Sequence, residues 1–260
     1  MKMVTYIVNR MLSFIFPDRC FVCDAVLSFC KDGVCLCEKC RKRLTFLNDN
    51  NTCRICGRPV DEGQIHCETC QTHRHEFDKA FSALQYTGAV REAVLRYKFG
   101  GRRDYSRSFA GLMYRRMQSH VREGEIDAVV CVPLSAERYR ERGYNQSALL
   151  AGILARYFRA PFLRNAFKKV RETAKQSTLH YLERKENVHR AYSLILPASA
   201  VRKKHILLVD DVITTSATAD ELARLLKRAG ASKVTVVTIA SPERNRLEKL
   251  PQPDLDEDEF

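Results

Sequence analysis

Short apolar runs alternate with helical patterns through the second part of the chain. Residues 206–209 (Ile-Leu-Leu-Val) are apolar without interruption, which is typical of a strand that helices cover on both faces. A leucine stripe at helical spacing follows, Gly230 marks the end of that helix, and residues 233–240 form a second apolar run. The pattern predicts a strand, helix, strand unit whose two strands are parallel.

The preceding residues repeat this alternation. Residues 77–86 and 126–132 have the pattern of strands, whereas residues 88–99 and 106–121 carry apolar positions at helical spacing. Strands that alternate with helices predict an α/β fold, here a doubly wound parallel sheet in a domain of residues 77–245. Ligands of such sheets bind at the carboxyl ends of the strands, so the chemistry is expected there.

Two carboxylates, Asp210 and Asp211, stand directly after the run at 206–209. A turn of small residues then opens the next helix. We call this turn the hydroxyl loop, and it consists of Thr214, Thr215, Ser216, Ala217 and Thr218. A helix N-terminus has unpaired N–H groups and a partial positive charge, so the loop is suited to a phosphate group. The acids are suited to vicinal ribose hydroxyls, directly or through Mg²⁺. The segment predicts a sugar-phosphate site; the alternative is that the acids only cap the next helix.

Basic residues follow the strand predicted at 126–132. Arg138, Arg140 and Arg142 precede Gly143, and clustered guanidinium groups beside a glycine turn are suited to a polyanion. A second basic turn surrounds Gly100 and Gly101, and its candidates for a phosphate contact are Lys98, Arg102 and Arg103. This turn is a secondary candidate, because a glycine-containing loop with ordinary solvated arginines is the competing interpretation.

Residues 171–187 are polar and charged with few apolar positions, a composition that is typical of loops that close over a site. Arg171 and Lys175 are the cations of this stretch that we expect to stabilise negative charge there. The alternative is an ordinary solvent-facing loop.

Cysteines dominate the first third of the chain, where ten of the eleven lie between Cys20 and Cys70. Four CxxC pairs are present: Cys20 with Cys23, Cys37 with Cys40, Cys53 with Cys56, and Cys67 with Cys70. Two such pairs complete a closed tetrahedral zinc site, so about two structural zinc ions are predicted in a domain of residues 20–76. Consecutive ribbons are the first choice, although spacing alone also allows an interleaved pairing. Cys30 and Cys35 are alternative ligands that complicate the assignment.

The net charge favours anionic partners. The chain has a formal charge of +13 and a pI near 9.3, which suits nucleic acid, nucleotide-like substrates or both. The ribbons themselves are either a docking module for nucleic acid or protein, or a segment that needs metal in order to fold.

The two ends of the chain differ in character. Residues 1–19 are predicted to form an amphipathic segment without stable membrane insertion, because Arg10 interrupts the apolar run. Residues 246–260 form an acidic tail that is expected to be disordered.

Clustered CxxC pairs indicate metal in a reducing compartment, which predicts a cytoplasmic protein.

Residues 206–218 resemble the ribose-phosphate-binding signature of type I phosphoribosyltransferases, in which an apolar strand, two acids and a small hydroxyl-rich turn lead into a helix. The resemblance implies a site for phosphoribosyl pyrophosphate with Mg²⁺, with the acids at the ribose and the hydroxyl loop at the 5-phosphate. Ser216 stands where the family usually has glycine. Its side chain is therefore expected to narrow the cradle or to require an unfavourable backbone angle.

The same resemblance implies roles for the basic residues. Arg138 and Arg142 would hold the pyrophosphate, in the position of the family's loop after an early strand. Catalytic roles are implied for Arg171, Lys175 and Asp211, with the two cations stabilising charge on the leaving pyrophosphate. The acceptor of the ribosyl group is an amine or a base.

Most of the chain resembles the ComF family of competence-associated phosphoribosyltransferase-like proteins, whose members also begin with cysteine knuckles. The motifs are Val132-Pro-Leu-Ser135, Arg138 and Arg142-Gly-Tyr-Asn-Gln146, then Arg171, Thr173, Gln176, Leu179, Arg184 and Asn187. The resemblance implies action in the cytoplasm on incoming single-stranded DNA during natural transformation, or in DNA utilisation. Two hypotheses follow: a phosphoribosyltransferase, or a non-catalytic protein that senses the ligand or binds single-stranded DNA. A helicase-like or DNA-processing protein is the expected partner of the ribbons.

Overall fold

The structure is a computed structural model that describes residues 17–171 and 190–242. Its strands are β1 (Lys79–Gln85), β2 (Ala128–Cys131), β3 (Phe167–Lys169), β4 (Tyr192–Leu194), β5 (His205–Val209) and β6 (Lys233–Ser241). Its helices are α1 (Glu38–Arg41), α2 (Glu68–Thr72), α3 (Gly88–Phe99), α4 (Tyr105–Met117), α5 (Ala136–Arg142), α6 (Gln146–Tyr157) and α7 (Ala217–Arg228). A 3₁₀ turn covers Ala198–Ala200.

The central sheet is parallel and has the strand order β1-β6-β5-β2. The crossover from β5 through α7 to β6 is the strand, helix, strand unit that the apolar pattern predicted. Strands β3 and β4 form a separate antiparallel pair. The parallel strands place their carboxyl ends at one edge, where Asp210 follows β5.

Both faces of the sheet are covered, which confirms the doubly wound architecture. On one face Leu207 and Val209 pack with side chains of α3, α4 and α6. On the other face Ile206 and Leu208 pack with side chains of α7 and of the β3–β4 pair. Because successive residues of a strand point to opposite faces, a strand buried on both sides is apolar at every position. This is why residues 206–209 show no alternation.

The cysteine-rich residues extend both cores. Cys20 and Phe21 belong to the core that contains α4, whereas Cys53 and Phe77 belong to the core that contains α7. The chain between them runs along the outer edge of β1, where the Leu47 N–H donates to the Ala83 carbonyl at 3.0 Å. This part of the outer edge of β1 is therefore paired instead of being exposed to solvent.

Helix α5 is an addition to the sequence prediction. Ser135 caps its N-terminus, since its side chain accepts from the Arg138 N–H, and Gly143 ends it with φ of +69°. None of its residues is buried, so it lacks the apolar stripe by which a helix is recognised in a sequence. Because residues 136–142 are helical, Arg138 and Arg142, which are four residues apart, lie on one face of α5.

Some predictions fall on residues outside the described ranges. These are the amphipathic segment as far as residue 16, Lys175 with most of the stretch 171–187, and the acidic tail. Within residues 17–171 and 190–242, none of the helices has the length and apolar character needed to cross a membrane.

Candidate functional site

The acid pair, Asp210 and Asp211, is held by groups from three elements. Asp210 Oδ1 accepts from the Ser147 hydroxyl at 2.9 Å and from the Asp211 N–H at 2.8 Å. Asp211 Oδ1 accepts from the Val212 N–H at 2.7 Å and lies 3.1 Å from Lys98 Nζ. Ser147 belongs to the first turn of α6 and Lys98 to the last turn of α3. The two carboxylates are therefore fixed at the carboxyl end of β5 rather than free in solvent.

Their environment affects the protonation of Asp210. Burial, reinforced by the neighbouring charge of Asp211, raises the pKa of Asp210 to about 7. Hydrogen bonds and the Lys98 ammonium act in the opposite direction but do not cancel the effect. Near neutral pH Asp210 is therefore partly protonated, and a bound cation or a set of hydroxyl donors would favour its ionised form.

The hydroxyl loop is the second part of the site. It borders a small cavity of about 50 Å³ that Asp210 also lines. In the described part of the chain, the N–H groups of Thr214, Thr215 and Ser216 donate to no backbone carbonyl. Unpaired donors at the start of α7, next to the positive end of its dipole, are suited to an anion.

Ser216 adopts the backbone conformation that glycine favours. It is the residue before α7, it has φ of +64° and ψ of −2°, and its side chain is buried. A residue with a Cβ atom is strained in this left-handed region. The expectation that serine requires an unfavourable backbone angle here is therefore confirmed.

The pKa of Arg142 is affected by its burial and by the charge of Asp211. Burial lowers the pKa of Arg142, and the charge of Asp211 opposes this effect. The guanidinium lies 4.6 Å from the centre of the Phe99 ring, and Nη1 donates to Gln146 Oε1 at 3.4 Å. Arg138 occupies the same helix one turn earlier. The structure thus places both predicted arginines on α5, directly after β2.

The other four predicted cations of the described residues differ in their surroundings. Lys98 reaches the acid pair, whereas Arg102 is paired with Asp104 at 2.9 Å and also contacts Asp24. Arg103 lies over the Tyr144 ring at 4.6 Å. Arg171 is exposed just beyond β3, where its N–H donates to the Ala191 carbonyl at 3.4 Å. Lys98 is therefore the member of the Gly-Gly turn that the fold brings to the acids.

Two residues near the site were missed by sequence reasoning. Ser147 meets Asp210 across 63 residues, so no local pattern of the chain indicates its role. Arg58 is buried, and its Nη2 donates to the Thr214 carbonyl of the hydroxyl loop. That contact joins positions 156 residues apart, and no local pattern of the chain indicates it.

Eight cysteines form two groups of four. Sγ atoms lie within 4.8 Å of one another in the group Cys20, Cys23, Cys37 and Cys40, and in the group Cys53, Cys56, Cys67 and Cys70. Tetrahedral Zn–S bonds of about 2.3 Å place sulfur atoms about 3.8 Å apart. The observed Cys23–Cys37 and Cys56–Cys67 Sγ distances of 3.8 and 3.6 Å match this value. The donor sets fit two structural zinc ions.

The grouping answers the question that the spacing left open. The knuckles pair consecutively, first with second and third with fourth, and not in the interleaved order. Cys30 and Cys35 are joined to each other as a disulfide, so they belong to neither group of four. We call residues 20–40 the first ribbon and residues 53–70 the second ribbon.

Fold and site together define a phosphoribosyltransferase-type domain joined to a double zinc ribbon. The family model described as a phosphoribosyl transferase domain matches residues 107–254, and that of a double zinc ribbon domain matches residues 11–71.

Relatives of known name extend over most of the chain. Competence protein F of Haemophilus influenzae is 31% identical over 228 residues, which cover 86% of this chain and 97% of that protein. DNA utilization protein YhgH of Escherichia coli is 30% identical over 224 residues, covering 85% and 95%. Competence protein ComFC of Bacillus subtilis is 28% identical over 236 residues, covering 85% and 93%. The chain belongs to the ComF family that these proteins represent.

Proposed function

We propose that this protein binds phosphoribosyl pyrophosphate with Mg²⁺ and acts in DNA uptake or utilisation. The observation that carries the first part is the acid pair at the end of β5, followed within three residues by the hydroxyl loop, in which the N–H groups of Thr214, Thr215 and Ser216 donate to no backbone carbonyl of the described residues. A phosphorylated pentose has a dianionic end and vicinal hydroxyls, which are the two kinds of group that the loop and the acid pair suit. The names of the relatives support the second part, because they denote competence and DNA utilization proteins.

Each end of the ligand has a proposed partner. The N–H groups and hydroxyls of the hydroxyl loop would bind the 5-phosphate, with α7 contributing the positive end of its dipole. Asp210 and Asp211 would accept from the ribose hydroxyls. Their carboxylate oxygens are also the donors that Mg²⁺ prefers, and the ion would offset charge on the pyrophosphate when bound. Arg138 and Arg142 would hold the pyrophosphate from α5.

The proposed reaction is transfer of the ribosyl group to a nitrogen of an amine or a base. The bond between the ribose carbon and the pyrophosphate oxygen breaks, and pyrophosphate leaves with the electron pair. The acceptor nitrogen forms the new bond with its lone pair and releases a proton. Arg171 and Lys175 are proposed to stabilise the charge that develops on the leaving group, and Asp211 to hold the ribose in position.

A second candidate is a non-catalytic protein that binds single-stranded DNA. A cleft of about 980 Å³ between the first ribbon, α4 and α6 supports it. Its lining includes Arg19, Arg102, Arg107, Arg156 and Arg164. Arginines in a groove are suited to a phosphate backbone, and the formal charge of +13 is in keeping with this. We further propose that the protein interacts with a helicase-like or DNA-processing protein and that it is located in the cytoplasm.

Three measurements on the full-length protein test these functions. Calorimetric titration with phosphoribosyl pyrophosphate, with and without Mg²⁺, is expected to give saturable binding that requires the ion. Release of pyrophosphate in the presence of a pool of amine and base acceptors identifies an enzyme. Binding of the sugar phosphate without such release, together with tight and salt-sensitive binding of single-stranded DNA, identifies the alternative. Absence of binding to phosphoribosyl pyrophosphate would refute the proposed site.

A further inference from the structure

Arg58, in the second ribbon, is a buried cation that the roles described above do not use. The residue is 5% exposed, and within residues 17–171 and 190–242 no carboxylate forms an ion pair with it. Its guanidinium donates to the Thr214 carbonyl at the start of the hydroxyl loop. A buried guanidinium without an anionic partner is costly, unless an anion binds near it. The hydroxyl loop is the neighbouring element suited to one.

The orientation of this contact determines how the loop presents its donors. Peptide bonds of the described residues are all trans, and in a trans peptide the carbonyl and the following N–H point in opposite directions. A Thr214 carbonyl directed at Arg58 therefore directs the Thr215 N–H away from the second ribbon. The guanidinium also brings a positive charge to the loop, and because it binds a carbonyl it occupies none of the N–H groups of the loop.

The second ribbon is anchored so that Arg58 has little freedom to move away. The Ala80 N–H of β1 donates to the Ile55 carbonyl at 2.7 Å. Gly57 has φ of +67°, and a Cβ atom at this position would lie 2.5 Å from the Ala80 carbonyl oxygen. The knuckle between Cys53 and Arg58 thus packs directly against β1, and no residue with a Cβ atom would fit at position 57 without a shift of the backbone.

A second contact joins the residues that follow the second ribbon to α7, the helix that the hydroxyl loop opens. His75 Nδ1 lies 2.8 Å from Asp220 Oδ2, and the Glu76 N–H donates to Asp220 Oδ1 at 2.9 Å. Asp220 belongs to the first turn of α7. The segment that opens the proposed 5-phosphate site is therefore held by the cysteine-rich part of the chain at two points, Thr214 and Asp220.

We propose that Arg58 is a positioning residue for the phosphate end of the ligand: it fixes the first peptide of the hydroxyl loop and supplies the charge that favours a phosphate there. The inference rests on the proposed function. It assigns to the second ribbon a role in small-molecule binding in addition to any contact with DNA or protein. The affected part of the ligand is the 5-phosphate and not the pyrophosphate, which the proposed arginines of α5 would hold.

The test uses two ligands that each occupy one half of the site, ribose 5-phosphate and magnesium pyrophosphate. Both are titrated calorimetrically into full-length wild type, Arg58→Met, Arg58→Lys and the matched control Arg54→Met, whose side chain is exposed in the same knuckle. Zinc content is measured for each protein, to establish that the ribbons are intact. Arg58→Met is expected to weaken ribose 5-phosphate binding by about ten- to a hundredfold, as for loss of a charge-assisted hydrogen bond.

The other expected results distinguish positioning from a general structural role. Magnesium pyrophosphate should bind Arg58→Met within about twofold of wild type, Arg58→Lys should be intermediate for ribose 5-phosphate, and Arg54→Met should match wild type. Unchanged ribose 5-phosphate affinity in Arg58→Met, or equal losses for both ligands, would overturn the inference. If Arg58→Met does not fold, Arg58→Lys decides by the same criterion. A wild-type protein that binds neither ligand would overturn the proposed function as well.

Discussion

The acid pair gives a stability prediction whose magnitude depends on pH. Asp210→Asn keeps a side-chain oxygen for the Ser147 hydroxyl and the Asp211 N–H, which donate to Asp210 at 2.9 and 2.8 Å. It removes a carboxylate that burial and the Asp211 charge keep from ionising easily. We expect the variant to be more stable than wild type at pH 8 in the absence of ligand, and to lose stabilisation by magnesium and phosphoribosyl pyrophosphate.

The magnitude follows from the pKa. The pKa of Asp210 is about 7 in the folded protein, against an ordinary value of 3.8. A group whose pKa is raised on folding favours the folded state most at low pH, and this contribution is lost as pH rises through the folded value. At about 1.4 kcal/mol per pH unit, the loss for wild type reaches at most roughly 4 kcal/mol at pH 8. It is smaller by about 1 kcal/mol at pH 6, because the carboxyl is then mostly protonated in the folded protein.

Urea unfolding followed by circular dichroism at pH 6, 7 and 8 measures the difference. The free energy of unfolding of Asp210→Asn should exceed that of wild type, and the excess should grow by about 1 kcal/mol from pH 6 to pH 8. Asp127→Asn is the matched control, because Asp127 accepts from the His205 N–H at 2.7 Å near the amino end of β5, away from the site. A variant that is less stable than wild type at pH 8, or an excess that does not vary with pH, would refute the burial argument. Retained stabilisation by the ligand would refute the ribose assignment.

Three further predictions concern the loop, the metal and the lysine. Ser216→Gly should raise the free energy of unfolding by about 1 kcal/mol, because the left-handed conformation is strained for serine, and should keep or improve the affinity for phosphoribosyl pyrophosphate; a large loss in calorimetry would mean that the hydroxyl is a ligand contact. Elemental analysis of protein purified under reducing conditions without chelators should find about two zinc ions per chain, and finding none would remove the ribbon assignment. Lys98→Met removes a cation that lowers the pKa of Asp210, so it should shift the pH dependence of ligand binding to higher pH; an unchanged profile would contradict the observed pairing of Lys98 with Asp211.

The architecture was predictable because its signals are local. Residues 206–209 are apolar at every position, and a short chain segment brings the acid pair and the hydroxyl loop together. The left-handed conformation of Ser216 was expected from the resemblance, because the family usually has glycine at this position. Cysteine spacing likewise identified the eight cysteines that the fold brings together in two groups of four.

Features that depend on distant parts of the chain were not predictable. Ser147 meets Asp210 across 63 residues, and Arg58 meets the Thr214 carbonyl across 156. Helix α5 buries none of its residues, so hydrophobic periodicity does not reveal it. The order in which the knuckles pair was open for the same reason, since either order satisfies the spacing. Local patterns therefore predicted the elements, and only the folded chain shows how the two ribbons flank the sheet.

A crystal structure of the protein with phosphoribosyl pyrophosphate and Mg²⁺ tests the central claim most directly. We expect the 5-phosphate to bind the N–H groups of residues 214–218, and the ribose hydroxyls or the ion to bind Asp210 and Asp211. Ligand bound elsewhere at saturating concentration, with the Lys98–Asp211 pair and the hydroxyl loop unoccupied, would contradict it.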